Sequence, residues 1–137
     1  MGAVTVHDAD PLRNVLVDLA DLLRLDEKKV LSSTWICNSV ECNGERAMDL
    51  ERVSDTGASV GGTELLHLVS GVFFQVIDGV FVAIRKGEQR PWLLIRAIRS
   101  SYYVLVTNDD DFLAKVRERF RDVRDSPEDA DYLEYVA

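Results

Sequence analysis

The stretch VFFQVIDGVFVAIRKGEQRPWLLIRAIRSSYYVLVT, residues 72–107, decides the fold, because β-branched and aromatic residues alternate there with short polar breaks. Asp78-Gly79 stands between two apolar runs, and this dipeptide is typical of a hairpin turn. Residues 90–98 and 101–107 predict two further strands. We therefore expect a three- to four-strand antiparallel meander over residues 72–107.

Two helices are predicted on either side of this meander. Residues 10–25 begin with a capping aspartate and a proline at the first helical position, and their apolar residues recur at helical spacing. Residues 109–124 begin with three aspartates and carry a second apolar stripe. The expected fold is α+β: one mainly antiparallel sheet with an N-terminal helix and a long C-terminal helix packed on it.

The centre of the chain is harder to interpret. Residues 30–40 predict a strand, and residues 54–62 are a loop by composition. Residues 63–77 permit either one helix or a helix followed by a strand. With one helix, the element order is helix, two strands, helix, three strands and helix. This order resembles that of roadblock or longin-type domains, and the resemblance implies a regulatory adaptor.

The length of 137 residues suits one globular domain, which we place at residues 1–125, followed by an acidic tail at 126–137. The tail can form a short helix. No apolar run reaches the ~18 residues that a membrane-spanning helix needs. The first residues lack the basic and apolar regions of a signal peptide, so a cytoplasmic location is expected.

The formal net charge of −8 makes a general affinity for nucleic acid or for anionic membranes improbable. The charge is unevenly distributed. Residues 1–70 carry 6 basic and 12 acidic side chains, and residues 71–124 carry 10 basic and 7 acidic ones. Residues 125–137 carry 5 acidic side chains and no basic one. Such a chain suits a partner protein, in particular a basic one.

No cofactor or metal site is predicted. The two cysteines, Cys37 and Cys42, are too few for a disulfide framework or a zinc site, and are expected to be reduced structural thiols. Asp109, Asp110 and Asp111 could bind a divalent cation. Their position at the start of a helix favours capping and a favourable interaction with the helix dipole instead.

The string Asp55-Thr56-Gly57-Ala58-Ser59 is similar to the catalytic loop of retroviral-type aspartic proteases. That resemblance implies that Asp55 would share a proton with the same residue of a second chain. The residues before Asp55 are mostly polar and charged, whereas these enzymes have an apolar strand there. We therefore interpret Asp55 as a turn residue, and keep the protease as the alternative.

The expected function is that of a non-catalytic protein-interaction domain: an adaptor, a chaperone-like subunit or an inhibitor of the immunity-protein type. Arginine and aromatic residues are enriched at interaction hot spots. The candidate contact residues on the meander and the last helix are Trp92, Arg96, Tyr102, Arg117 and Arg121. A homodimer is also compatible with the sequence.

Overall fold

The computed structural model describes residues 2–12 and 15–132. Within them lies one antiparallel sheet of seven strands. The strands are β1 Gly2–Val6, β2 Thr34–Asn43, β3 Ser59–Gly61, β4 Gln75–Ile84, β5 Pro91–Ile98, β6 Tyr102–Thr107 and β7 Val123–Asp125. Their order is β3-β2-β4-β5-β6-β1-β7. Both edge strands are only three residues long, which limits pairing with another chain at the sheet edges.

The helices connect these strands. α1 Leu19–Leu23 and α2 Glu27–Ser32 are joined by a 3₁₀ turn, Arg24–Asp26, into one helical stretch of 14 residues. The others are α3 Ala47–Thr56, α4 Gly62–Val69 and α5 Asp110–Arg119, and a second 3₁₀ turn spans Pro127–Asp129. Residues 63–77 are thus a helix followed by a turn and a strand.

The main core lies on one face of the sheet, which we call the first face. Because side chains alternate along a strand, Leu93 and Ile95 of β5 point into this core, while Leu94 belongs to a smaller cluster on the second face. Apolar residues of all five helices complete the main core, among them Leu19, Val30, Leu50, Leu65 and Phe112.

Three buried aromatic side chains fasten the first helical region to the sheet through their polar atoms. Trp35 Nε1 donates to the Val30 carbonyl at 3.0 Å, and Trp92 Nε1 donates to Ser33 Oγ at 2.9 Å. The Tyr103 hydroxyl donates to the Val17 carbonyl at 2.8 Å. Each aromatic ring therefore contributes apolar area without leaving a buried donor unsatisfied.

The predicted meander is wrong in its first hairpin. Asp78 and Gly79 lie inside β4, where Gly79 pairs with Ala97 of β5, so three strands and not four form the meander. Asp78 supports a different turn, since its carboxylate accepts the Arg99 N–H at 2.9 Å. Arg99 and Ser100 both have positive φ, as a type I′ turn between β5 and β6 requires.

The predicted N-terminal helix at 10–25 is also wrong. Residues 2–6 form β1, which lies between β6 and β7, and the first helix among the described residues begins at Leu19. The cap is Asp18, whose N–H donates to the Asp21 carboxylate at 3.2 Å. A strand of only five residues, with Ala3 buried on one face and Val4 and Val6 on the other, has too little periodicity to be distinguished from the residues that follow it.

The long C-terminal helix predicted at 109–124 does not exist. α5 ends at Arg119, Phe120 is extended, and the chain continues into β7. The Asp8 carboxylate accepts the N–H groups of Arg121 and Asp122 at 2.8 and 2.7 Å, which offers these donors an alternative to helical hydrogen bonds. The apolar residues of the predicted tail helix fall mostly at 133–137, outside the described residues.

Candidate interaction surface

The turn at residues 71–74, here called the Phe73 turn, exposes a phenylalanine in an unfavourable backbone conformation. The Phe74 N–H donates to the Gly71 carbonyl at 3.2 Å, which closes the turn. Phe73 has φ of +56°, where a bulky side chain is an outlier and glycine or asparagine is favoured. Its side chain is 79% exposed. The position therefore combines backbone strain with an aromatic ring that contributes little packing of its own.

The Phe73 turn is held against the segment 43–46 that precedes α3. The Glu45 N–H donates to the Val72 carbonyl at 3.2 Å. A Cβ added to Gly44 would lie 2.3 Å from the Phe73 carbonyl oxygen, and one added to Gly71 would lie 2.7 Å from the Glu45 carbonyl oxygen. The two backbones approach closely because Gly44 and Gly71 have no side chain. This close packing fixes the backbone that carries the exposed Phe73 ring.

Further exposed apolar side chains lie on the Phe73 turn and in the first turn of α3. Val72 is 61% exposed, and Met48, in the first turn of α3, is 77% exposed. Arg46 also has positive φ, and its guanidinium donates to the His67 carbonyl at 3.0 Å, which links this segment to the end of α4. Phe73 and Val72 thus expose apolar area together on the Phe73 turn, and Met48 exposes a further apolar side chain two residues after Arg46.

The second face of the sheet carries a separate apolar surface. Its buried residues are Ala3, Val82, Leu94, Val104 and Val106, and Val80, Ile98 and Tyr102 pack around them. Arg96 lies on this face, since it pairs with Val104 and alternates with the core residues Ile95 and Ala97. Tyr102 also stacks on His7, with ring centroids 4.9 Å apart.

The five predicted contact residues do not form one surface. Trp92 is only 1% exposed and belongs to the main core, so it is not available for contact. Arg96 and Tyr102 share the second face. Arg117 lies on α5 and pairs with Asp125 at 2.6 Å, and Arg121 is exposed beyond the end of that helix. The structure thus brings together Arg96 and Tyr102 alone.

Asp55 is not on a loop: it is exposed near the C-terminal end of α3. An aspartic-protease site requires two carboxylates brought close by burial, so an exposed helical aspartate supplies none of the required desolvation. The neighbouring Ser54 has a clear structural part, because its buried hydroxyl accepts the Val40 N–H at 3.0 Å beside the bulge in β2.

Asp109 caps α5 and joins an ion cluster. Its Oδ1 accepts the Phe112 N–H at 3.0 Å, and its Oδ2 lies 2.7 Å from both Lys29 Nζ and an Arg85 nitrogen. Burial on its own would raise the pKa of Asp109. The hydrogen bonds from Lys29 and Phe112 and the charges of Lys29 and Arg85 outweigh burial and lower the pKa. The described residues hold no cluster of three or more metal-ligating side chains.

The cysteines are free and buried. Burial raises the pKa of Cys37 to about 12. The pKa of Cys42 is also raised to about 12, first by burial and then by the charges of Glu51 and Glu41. Since the thiolate is the reactive form, neither thiol is activated for redox or nucleophilic chemistry.

No helix in the described part of the chain is long and apolar enough to cross a membrane. Comparison of the chain with protein-family models, with curated proteins and with solved structures finds no match. The element order itself differs from that of the roadblock and longin-type domains, because β1 precedes the first helix and α3 separates β2 from β3.

The sequence analysis missed the Phe73 turn because residues 72–74 fall within an apolar run that predicts a strand. Periodicity does not report the sign of φ, and a phenylalanine is among the least expected residues at a positive value. The one available signal was Ser70-Gly71, since a serine-glycine dipeptide marks a turn.

Proposed function

We propose that this chain is a non-catalytic protein-interaction domain that binds a partner protein through the Phe73 turn. The observation that carries the proposal is Phe73 itself, 79% exposed at a φ of +56°. Phenylalanine at this positive φ makes the folded chain less stable than glycine or asparagine would. An aromatic side chain at such a position is explained if its ring is buried in a complex.

The turn meets the physical requirements of an interaction hot spot. Aromatic anchors that fill a pocket on the partner dominate binding energies. The closed turn and its bond to Glu45 fix the backbone beforehand, so little conformational entropy remains to be lost on binding. Val72 supplies further exposed apolar area on the same turn. The matching surface is an apolar pocket on the partner, deep enough to receive one phenyl ring.

The net charge of the chain indicates a second property of the partner. With a net charge of −8, this protein is steered towards a surface of opposite sign. We therefore propose a partner whose apolar pocket has a basic rim, as an inhibitor of the immunity-protein type would meet. The association rate constant should then fall steeply as the salt concentration rises, while the dissociation rate constant changes little.

The test uses Phe73→Asn, because asparagine tolerates positive φ. We expect the free energy of unfolding to stay constant or rise by about 1 kcal/mol. Wild-type protein and the variant are used to retain proteins from an extract of the native source. A protein that the wild type retains is purified, and its affinity for Phe73→Asn should be lower than its affinity for the wild type by about 30-fold or more, as expected for a hot spot of about 2 kcal/mol.

Leu12→Asn is the matched control, since Leu12 is also a highly exposed apolar residue, but one without positive φ. It should leave the affinity unchanged. The proposal is wrong if Phe73→Asn binds the purified partner as well as the wild type. It is equally wrong if the Phe73 ring instead drives binding to phosphatidylcholine vesicles in a flotation assay.

A further inference from the structure

The C-terminal residues 126–132, here called the strap, lie against the sheet beside the second face. The Ser126 N–H donates to the Ala3 carbonyl of β1 at 3.0 Å, and Ser126 is buried. The strap then forms the 3₁₀ turn Pro127–Asp129, and Ala130 packs against the apolar cluster of the second face. The strap thus begins at β1 and leads the chain over the same apolar surface.

Tyr132, the last described residue, contacts Arg96. The Arg96 guanidinium carbon lies 5.5 Å from the centroid of the Tyr132 ring, and Arg96 donates a hydrogen bond of 3.1 Å to the Tyr132 hydroxyl. A cation over an aromatic ring is attracted by the electrons of the ring, and an arginine at this position also attracts carboxylates. Tyr132 is 37% exposed, so the contact lies at the solvent boundary, where exchange is feasible.

The apolar residues of the second face are almost fully buried, with Ala130 of the strap packed against them and Arg96 beside them, so another segment reaches them only by displacing the strap. Such an apolar surface accepts aliphatic and aromatic side chains, and the arginine favours a tyrosine or an acidic residue. The strap has this composition, with Tyr132 near Glu128, Asp129 and Asp131. The charge of the strap and that of Arg96 are complementary, which favours this class of segment over a basic one.

We propose that the second face is a docking site for an acidic, tyrosine-containing segment of a partner protein, and that the strap is its built-in competitor. A partner segment would take the place of Tyr132 on Arg96. This site shares no residue with the Phe73 turn, so either proposal can fail while the other holds.

The probe is a fluorescein-labelled peptide with the sequence of residues 126–137, measured by fluorescence anisotropy against the full-length chain. In Tyr132→Ala the strap loses its contact with Arg96 and competes less. The peptide should bind this variant about tenfold more tightly than the wild type, since a cation–π contact and a hydrogen bond to a charged group together correspond to about this factor. Tyr132→Phe keeps the ring and should give an intermediate affinity.

Arg96 is the specificity test. Tyr132→Ala/Arg96→Gln should lose the gain in affinity, while Tyr132→Ala/Arg121→Gln should keep it, because Arg121 lies between α5 and β7, outside the strands of the sheet. Thermal melts verify that each variant folds. The proposal is overturned if no folded variant binds the peptide, or if binding is independent of Arg96. It is also overturned if Tyr132→Ala forms a concentration-dependent dimer in light scattering that excludes the peptide, since the face would then serve self-association.

Discussion

Asp109 offers a prediction whose magnitude follows from its contacts, because one carboxylate caps α5 and joins two cations. Asp109→Ala removes the cap, which is typically worth about 1 kcal/mol, and leaves Lys29 and Arg85 without their shared anion. These two cations are about one third exposed, so their pairing contributes about 1–2 kcal/mol and not the larger value of a fully buried pair. We expect Asp109→Ala to lower the free energy of unfolding by about 2–3 kcal/mol at pH 7.

Asp109→Asn separates these two contributions. Asparagine caps a helix as well as aspartate does but carries no charge, so the loss should be limited to about 1–2 kcal/mol. Urea unfolding followed by circular dichroism measures both changes. For an m-value of about 2 kcal/mol/M, Asp109→Ala lowers the midpoint by about 1–1.5 M and Asp109→Asn by about 0.5–1 M.

The pH dependence of the free energy of unfolding tests whether the charge of Asp109 stabilises the fold. The pKa of Asp109 is lower in the folded state than in the unfolded chain, so ionisation favours folding. This stabilisation is fully present above the unfolded-state pKa, about 4, and is lost as the pH falls through the lower folded-state pKa. The difference in the free energy of unfolding between the wild type and Asp109→Asn should therefore disappear in acid. A difference that is absent at pH 7, or that persists undiminished at pH 2, would refute this account of the ion cluster.

Two further predictions concern the cysteines and the protease-like string. Cys37 and Cys42, whose pKa values are raised to about 12, should not react with a thiol reagent at pH 8 until urea unfolds the chain; fast labelling of the native protein would contradict their burial. Ser54→Ala should lower the free energy of unfolding by about 1–3 kcal/mol, because it leaves the Val40 N–H without its partner, whereas Asp55→Asn should change it by less than about 0.5 kcal/mol. A larger loss for Asp55→Asn than for Ser54→Ala in urea titrations would contradict the exposed position of Asp55.

The parts of the fold that follow from the sequence are those where local preference and burial agree. β5 and β6 fall within segments that alternate or are continuously apolar, and β2 forms around Trp35 as its aromatic and β-branched residues indicate. The start of a helix was predicted at Asp109, Asp110 and Asp111, and the Asp109 side chain accepts the Phe112 N–H there. In each case the sequence within about four positions of the residue concerned is enough to predict its local structure.

The errors arise where a distant residue decides a local conformation. Asp8 accepts two N–H groups at Arg121 and Asp122, more than a hundred positions away, where the predicted helix gives way to an extended chain. At Asp78-Gly79 the turn preference is overridden because the strand continues, and Gly79 lies against Val40 of β2, where an added Cβ would be 3.2 Å from the Val40 side chain. Such contacts are properties of the assembled sheet, and no window of sequence contains them.

The residues with positive φ show why the Phe73 turn stands apart. Five described residues other than glycine have this conformation: Ser39, Arg46, Phe73, Arg99 and Ser100. Four of them are polar or charged, and solvent hydrates such side chains at no cost. Phe73 alone combines an unfavourable backbone with exposed apolar area, two costs that a glycine would remove together. Folding gains nothing from this combination, and on this observation we base the proposal that a complex buries the Phe73 ring.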